Sequence, residues 1–516
     1  MSIFSHVAKP NVSHNTFDLS HEKKFSAKIG ELIPILCTET VPGDTFNIKS
    51  SNMLRFAPMI APVMHQTSVY THFFFVPNRI LWENWEQFIT GGEYFQSQPT
   101  FPYANPSQGQ TILEGSLADY MGLPTYDVNI PGSGDYSNTD ISVLPFAAYN
   151  KIYNEYYRDQ NLQPIPLTDT VSDGLNNFAD FNYLKSRAWQ HDYFTSALPF
   201  TQKGPEATLP LGSSAPILYN NNGFETTTVY SPSGTVGTGT LASNSAGSLL
   251  RAGSPAAIDN SNTLEADLSN ATAASINDLR RAFRLQEFLE RNARGGTRYI
   301  EVIQSHFGVK SSDARLQRPE FLGGTSTPVQ ISEVLQTSDA SAEVTPQGNM
   351  AGHGLAVGSG DRISYSCEEH GYIIGIMSVM PKTAYQQGIP KHFTKFDKFD
   401  YFWPSFANIG EQPIYNREIF HDNSNDNDDI FGYTPRYAEY KYLPSTVHGE
   451  MRSSLNFWHM GRIFPSRPAL NSQFITCSSD EVERIFAVAD SETLYCYLHN
   501  DIKARRPMPY FGTPTI

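Results

Sequence analysis

Cationic charge is scarce in this sequence. Its 516 residues hold 37 Lys and Arg against 52 Asp and Glu, a formal net charge of −15. A chain whose main task is to coat nucleic acid needs a surplus of Lys and Arg facing phosphates, so that class is excluded. Cysteine is scarcer still. Cys37, Cys367, Cys477 and Cys496 lie far apart, with no CxxC and no Cys/His pairing at zinc spacing. They read as reduced core thiols from a reducing cytoplasm. The longest apolar run, 372–380, is far too short to span a bilayer and reads as a buried strand. The N-terminus lacks a basic segment followed by an apolar core, so no signal peptide is expected. There is no Gly-Lys dipeptide and hence no P-loop. His21-Glu22 is followed by Lys23-Lys24-Phe25, which fails the HExxH zinc pattern, and no GxSxG elbow occurs. No catalytic, cofactor-binding or metal-binding residue is assigned, and no enzyme is expected.

What is abundant is aromatic. Phe, Trp and Tyr make up 13% of the chain, and such residues are favoured where proteins meet one another. They concentrate in 144–161, LPFAAYNKIYNEYYRDQN. There Phe146, Tyr149, Ile152, Tyr153, Tyr156 and Tyr157 recur at spacings of three, four and seven, which places them on one helical face. Pro145 suits a first helical turn, and Asn150, Lys151, Asn154, Glu155 and Asp159 take the opposite face. A tyrosine-rich face wants apolar burial and partners for its hydroxyls. Tyr149, Tyr153, Tyr156 and Tyr157 are therefore assigned either to a core or to a contact with a second chain.

The rest reads as β structure with helical inserts. Extended segments at 25–41, 45–48 and 67–76 are joined by turns such as Pro42-Gly43-Asp44. A helical patch at 80–89 carries Trp82, Trp85, Phe88 and Ile89 and stops at Gly91-Gly92. A further helix is expected over 182–196. From 201 to 275 Ser, Thr, Gly and Asn dominate and only Lys203 and Arg251 are basic, the pattern of a surface insertion of irregular β structure. A helix over 275–294 carries Leu279, Phe283, Phe288 and Leu289 on one side and arginines on the other, with Ser275 and Asp278 as a near capping box. Gly295-Gly296 ends it, and Thr297 caps a second helix over 298–307. Strands return at 362–367 and 372–380, then near 447–458 and 483–488. One β domain over 1–516 explains this order, with a mainly helical and loop insertion at 78–200, the low-complexity insertion at 201–275 and a helical pair at 276–309.

Three smaller features have two readings each. Gly295-Gly296-Thr297 before a helix could hold a phosphate, but a helix–helix turn is preferred. The loop at 422–429, DNSNDNDD, resembles a calcium loop in composition, yet Asn427 stands where Gly is needed and Tyr433 where the closing Glu belongs. A solvated loop is preferred. Lys503, Arg505 and Arg506, near Tyr510 and Phe511, suit either contact with DNA by charge and stacking or pairing with an acidic neighbouring subunit.

Eight stretches, in order along nearly the whole chain, carry a family resemblance. They are FDLSHE at 17–22, HFFFVPNRILWENWEQFITGG at 72–92, the tyrosine helix with its RDQN end at 158–161 and ARGGTRYIEVIQSHFGV at 293–309. RLQRPEFLGG at 315–324, EHGYIIGIMSVMPKTAYQQG at 369–388, GEQPIYNREIF at 410–420 and FGYTPRYAEYKYLPSTVHGEMR at 431–452 complete them. Together they resemble the major capsid protein of the microviruses, small icosahedral single-stranded DNA phages, in the gokushovirus-like branch. The segment 201–275 resembles it least beyond KGPEATLPLG.

The resemblance implies an eight-stranded viral jelly-roll β-barrel with long insertions between strands. It implies pentamers of this chain closing into a T=1 icosahedral shell around circular single-stranded DNA, in a virion assembled in the bacterial cytoplasm. A small basic DNA-packaging protein is an expected partner, because the chain's acidic balance cannot neutralise a genome alone. By the same analogy 201–275 forms a protrusion at the three-fold axes, used on a host surface glycan or receptor, with a partnerless spacer as the other reading. The competing function class is a β-sandwich that binds or cleaves glycans.

Overall fold

The computed structural model describes residues 13–92, 98–106, 112–126, 136, 139–165, 169–205, 207, 217–219, 228–229, 241–243, 249–251, 264–266, 276–336, 348–488 and 492–511. The chain divides into two compact units, one of Met1–Thr201 with Gly296–Ile516 and one of Gln202–Gly295.

The larger unit is built on two antiparallel sheets. The first contains β1 (Asn15–Asp18), β2 (His21–Ala27), β4 (Thr45–Phe56) and, later in the chain, β7 (Gln330–Leu335), β8 (Met350–Ser359), β9 (Ile363–Ser366) and β13 (Leu494–Arg506). The second contains β3 (Ile33–Thr40), β5 (Thr67–Pro77), β6 (Glu320–Pro328) and β10 (Gly371–Pro381). Spatial order in the first is β2-β13-β4-β8, with β1 also on β13, β9 also on β4, and β7 beyond β8. In the second it is β3-β10-β5-β6. Among the eight main strands the chain passes from one sheet to the other at every step except β5 to β6, which pair directly. That wrapped connectivity is a jelly roll. The sheets remain separate, packed face to face, and do not close into one hydrogen-bonded cylinder.

Period-two alternation explains why they pack. Phe46, Ile48 and Leu54 of β4 and Leu494, Leu498 and Ile502 of β13 point inward, against Val69, Phe73 and Phe75 of β5 and Ile373, Met377 and Val379 of β10. Each such side chain contributes roughly 1.5–3 kcal/mol on burial.

Between β5 and β6 the chain makes its longest excursion, and between β10 and β13 its second. The first covers the outer face of the second sheet. Phe74, Val76, Ile374 and Ile376 on that face pack against α1 (Leu144–Ile152), with Trp82 and Leu117 completing the cluster. The second excursion holds β11 (Glu411–Tyr415) paired with β12 (Ile430–Pro435) over a further core in which Tyr385, Ile414 and Phe474 meet Tyr193 and Phe194 of the first excursion. Arg462 is buried against that core, ion-paired to Glu481 at 3.0 Å, with its guanidinium 4.3 Å from the Phe474 ring centre.

The smaller unit has α2 (Ile276–Gly295), with Glu287 bridging Arg284 and Arg291, and short antiparallel pairings of 217–219 with 228–229 and 264–266, and of 241–243 with 249–251. Its apolar stripe is solvent-facing at Leu279, Phe283 and Phe288. Ser275 and most of 201–275 lie outside the described residues, including whatever would form a protrusion.

Several local expectations change. The segment 182–196 is not helical: its backbone is spent on bonds to other segments, Leu32 N–H to Lys185 O, Arg187 N–H to Gly30 O and Trp189 N–H to Ile475 O. The stretches 447–458 and 483–488 hold 3₁₀ turns rather than strands. The helix after Gly296, α3 (Tyr299–Phe307), is capped at Arg298, whose N–H donates to the Glu301 carboxylate at 3.1 Å, and not by Thr297. Three cysteines are buried, but Cys37 is exposed.

Candidate nucleic-acid interface

Among the described residues, no insertion covers the outer face of the first sheet along its central strands. β13 alternates in burial through its length, so Tyr495, Tyr497, His499, Asp501, Lys503 and Arg505 point outward. Outward residues on a strand recur every ~6.8 Å. β4 runs antiparallel beside it and sets Arg55 opposite Tyr495, Met53 opposite Tyr497, Lys49 opposite Asp501 and Asn47 opposite Lys503. On the other flank Lys24 and Glu22 of β2 face Tyr497 and His499.

Some of these charges are used locally. Lys24 bonds Glu22 at 2.9 Å and lies 5.7 Å from the Tyr497 ring centre, while the Tyr497 hydroxyl donates to Glu22 at 2.8 Å. The hydrogen bond from Lys24, then that from Tyr497, holds the Glu22 carboxyl below its ordinary range. Arg362 pairs with Asp501 at 3.2 Å. Lys49, Arg55, Lys503 and Arg505 form no ion pair among the described residues. The face thus presents four cations outside any ion pair, although Asp18 of β1 stands across from Lys503 and Asp501 across from Lys49, and Arg55 lies opposite the Tyr495 ring. Such a surface can meet phosphates by charge and bases by stacking.

Of the three basic residues singled out near the C-terminus, Lys503 and Arg505 lie on this open face. Arg506 does not. It turns back to Asp44 at 3.4 Å, donates to Glu39 O at 2.8 Å and stacks its guanidinium 5.3 Å from the Phe46 ring centre. Sequence reading missed Lys49, Arg55, Tyr495 and Tyr497. The period-two pattern Leu494, Cys496, Leu498, Ile502, Ala504 was the available signal, since it marks a strand with one wet face where a tail was expected.

The tyrosine helix sits on the opposite side of the sandwich. Tyr149 is fully buried, donates to Leu32 O at 2.8 Å and accepts from Lys185 N–H at 3.1 Å. Tyr153 is buried beside Gln163 at 3.3 Å. After Ile152 the helix widens into one π turn, Tyr153–Tyr157, which keeps Tyr156 and Tyr157 aimed at the second sheet. Tyr156 donates to Pro319 O at 2.5 Å under the Arg318 guanidinium, 4.4 Å from the ring centre. Tyr157 bonds His72 at 2.7 Å. Burial in this packing pushes His72 down to about 4. A cleft of about 650 Å³ opens here among His72, Tyr157, Arg187, Trp189 and Arg318. The face assigned to solvent is wetter in sequence than in fact, because Asn150 and Asn154 are buried with the rest.

The acidic loop is held by arginines: Arg467 reaches Asp422 at 2.5 Å and Asp426 at 3.1 Å, and Arg417 pairs with Asp428. At the Gly-Gly-Thr turn, the Thr297 N–H donates to Gln160 at 2.9 Å, a bond within the fold. Among the described residues no group of three acidic, His or Cys side chains is placed to hold a metal, and no helix is long and apolar enough to cross a membrane.

Known proteins share this chain's sequence from end to end. Residues 5–516 match the family described as Capsid protein (F protein). The chain belongs to this capsid-protein family. It is 39% identical over 531 residues to Capsid protein VP1 of Bdellovibrio phage phiMH2K, covering 99% of this chain and 97% of that protein. It is 34% identical over 595 residues to Capsid protein VP1 of Chlamydia phage 1, and 35% over 550 to that of Spiroplasma virus 4, with the same shares covered. The capsid protein is thus a structural component of a virion that self-assembles into a shell, and not an enzyme. The glycan-binding or glycan-cleaving alternative finds no support.

Proposed function

We propose that this capsid protein assembles through pentamers into an icosahedral shell around circular single-stranded DNA, with the open face of the first sheet turned to the packaged strand. The observation that carries this reading is electrostatic. In a chain of net charge −15, Lys49, Arg55, Lys503 and Arg505 lie along one sheet face and form no ion pair among the described residues, with Asp18 and Asp501 as the carboxylates nearest to Lys503 and Lys49. Arg506 serves the fold and is not one of the DNA-facing cations. Four cations per copy neutralise few phosphates, so a small basic packaging protein supplies the remainder. Assembly takes place in the bacterial host cytoplasm. The insertion at 201–275, low in charge and rich in hydroxyls, is assigned to a surface protrusion that contacts a host glycan or receptor.

The test is single-stranded DNA binding to assembled shells as a function of salt. Replacing all four cations by Gln should weaken binding about tenfold or more near 0.1 M salt. It should also flatten the log–log salt slope by up to about 3, at ~0.7 for each phosphate no longer neutralised. Unchanged affinity and slope would refute the assignment. Arg506→Gln should leave the slope alone.

A further inference from the structure

We propose that an aromatic patch over residues 393–403 is a contact surface for a second copy of this chain. The inference rests on the shell assembly of the family and names a surface that makes it.

Phe393, Phe396, Phe399, Tyr401, Phe402 and Trp403 are all exposed, Phe396 at 88% and Phe393 at 67%. Isolated exposed apolar side chains are ordinary on a soluble protein, but six exposed rings within eleven consecutive residues are not. At about half exposure, six such rings present roughly 700 Å², near the ~800 Å² that each partner contributes to a standard interface. The patch is also rigid. Its chain folds into short 3₁₀ turns at Lys391–Thr394, Lys398–Asp400 and Pro404–Phe406. The Asp400 carboxylate accepts from Phe396 N–H at 2.9 Å and Asp397 N–H at 2.8 Å. The Trp403 indole donates to Lys398 O at 2.8 Å, and the Tyr437 hydroxyl donates to Tyr401 O at 3.3 Å. Beneath, Lys395 bonds Glu439 at 3.0 Å and lies 3.9 Å from the Tyr440 ring centre. A backbone held in place before docking loses little entropy when it docks.

Charge selects the occupant. The exposed charges among the rings are Asp397, Lys398 and Asp400, both signs close together. A polyanion such as DNA would meet two carboxylates there, and an anionic lipid surface would meet the same repulsion. A second copy brings the same mixed rim and can pair each sign with its opposite.

The deciding experiment is hydrogen exchange by mass spectrometry on the full chain, before and after assembly. Exchange across 391–403 should slow at least tenfold in the assembled form. In parallel, Phe393→Ser with Phe396→Ser, which removes exposed rings only, should keep the wild-type melting temperature. It should also need about 100-fold higher concentration to associate by sedimentation. Assembly with unchanged exchange over 391–403 would overturn the surface while leaving the assembly reading intact. Protection that appears only on adding host envelope would overturn it in favour of a receptor. Failure of the wild-type chain to associate at all would remove both.

Discussion

β10 and β13 are central strands of the same jelly roll, yet they are buried in opposite ways. β10 is buried at ten of its eleven positions, because the core lies on one side and the tyrosine helix with its neighbours on the other. β13 is buried at every second position, because only the core side is covered. The sequences follow: GYIIGIMSVMP is apolar on both faces, while LYCYLHNDIKARR alternates apolar with polar and charged. Strand position in the sandwich does not set composition; cover does. Of the two uncommitted sheet faces a jelly roll begins with, the long insertion consumes one. Among the described residues nothing covers the other, and it carries charge.

The sharpest way to break this contrast is to place a carboxylate on each outer face. Ile374→Asp should cost at least about 4 kcal/mol, since the charge would be buried without a partner, and should leave little soluble protein. Tyr495→Asp should change stability, measured by urea melt, by no more than about 0.5 kcal/mol. Comparable losses at the two sites would mean the first sheet is covered as well. A finer cut is Tyr149→Phe, which keeps the ring but strands the buried Leu32 carbonyl and Lys185 N–H. Its expected cost is about 1–3 kcal/mol by denaturant melt, and no loss would show that the hydroxyl does not join the helix to the Leu32 and Lys185 backbone.

The smallest effect is on pH dependence. His72 faces the covered side, with a folded value near 4 against 6.5 for the ordinary side chain, set chiefly by burial. The unfolded chain therefore takes up this proton first as pH falls. The contribution of His72 to stability is complete above about 6.5, is lost as pH drops towards 4, and changes no further below that. His72→Phe should lose less stability than wild type between pH 7 and pH 5. An identical decline in both would show that His72 protonates without penalty, as on an open face.

Much of the fold was legible because local pattern and tertiary outcome agreed. The β-branched and aromatic density of 67–76 and the apolar run of 372–380 became β5 and β10 with boundaries moved by a residue. The Gly91 stop is a left-handed cap, as its position implied. What failed had no local cause. The segment 182–196 carries helix-like spacing but is claimed as extended backbone by the loops before β3 and by Ile475. β13 was overlooked because its charged half, NDIKARR, reads as a tail unless the alternation before it is followed through.

The candidate interface was half legible. Lys503, Arg505 and Arg506 form one cluster in sequence, but strand alternation sends Arg506, at the sheet's end, to Asp44 and leaves the other two outside. Lys49 and Arg55 join them from a strand more than four hundred residues away in the chain, and only the β4–β13 register brings them together.

By itself the sequence determined the alternation of strands, the apolar faces, the low cation count and, through ordered motifs, the capsid family. These depend on local periodicity and composition, which a chain carries in any conformation. Only the tertiary structure decided which sheet face is covered, which arginine is spent on an ion pair and which aromatic rings remain in solvent. Each of those depends on pairings between distant segments, whose registers are fixed by which apolar faces meet across the whole fold and not by any one segment alone.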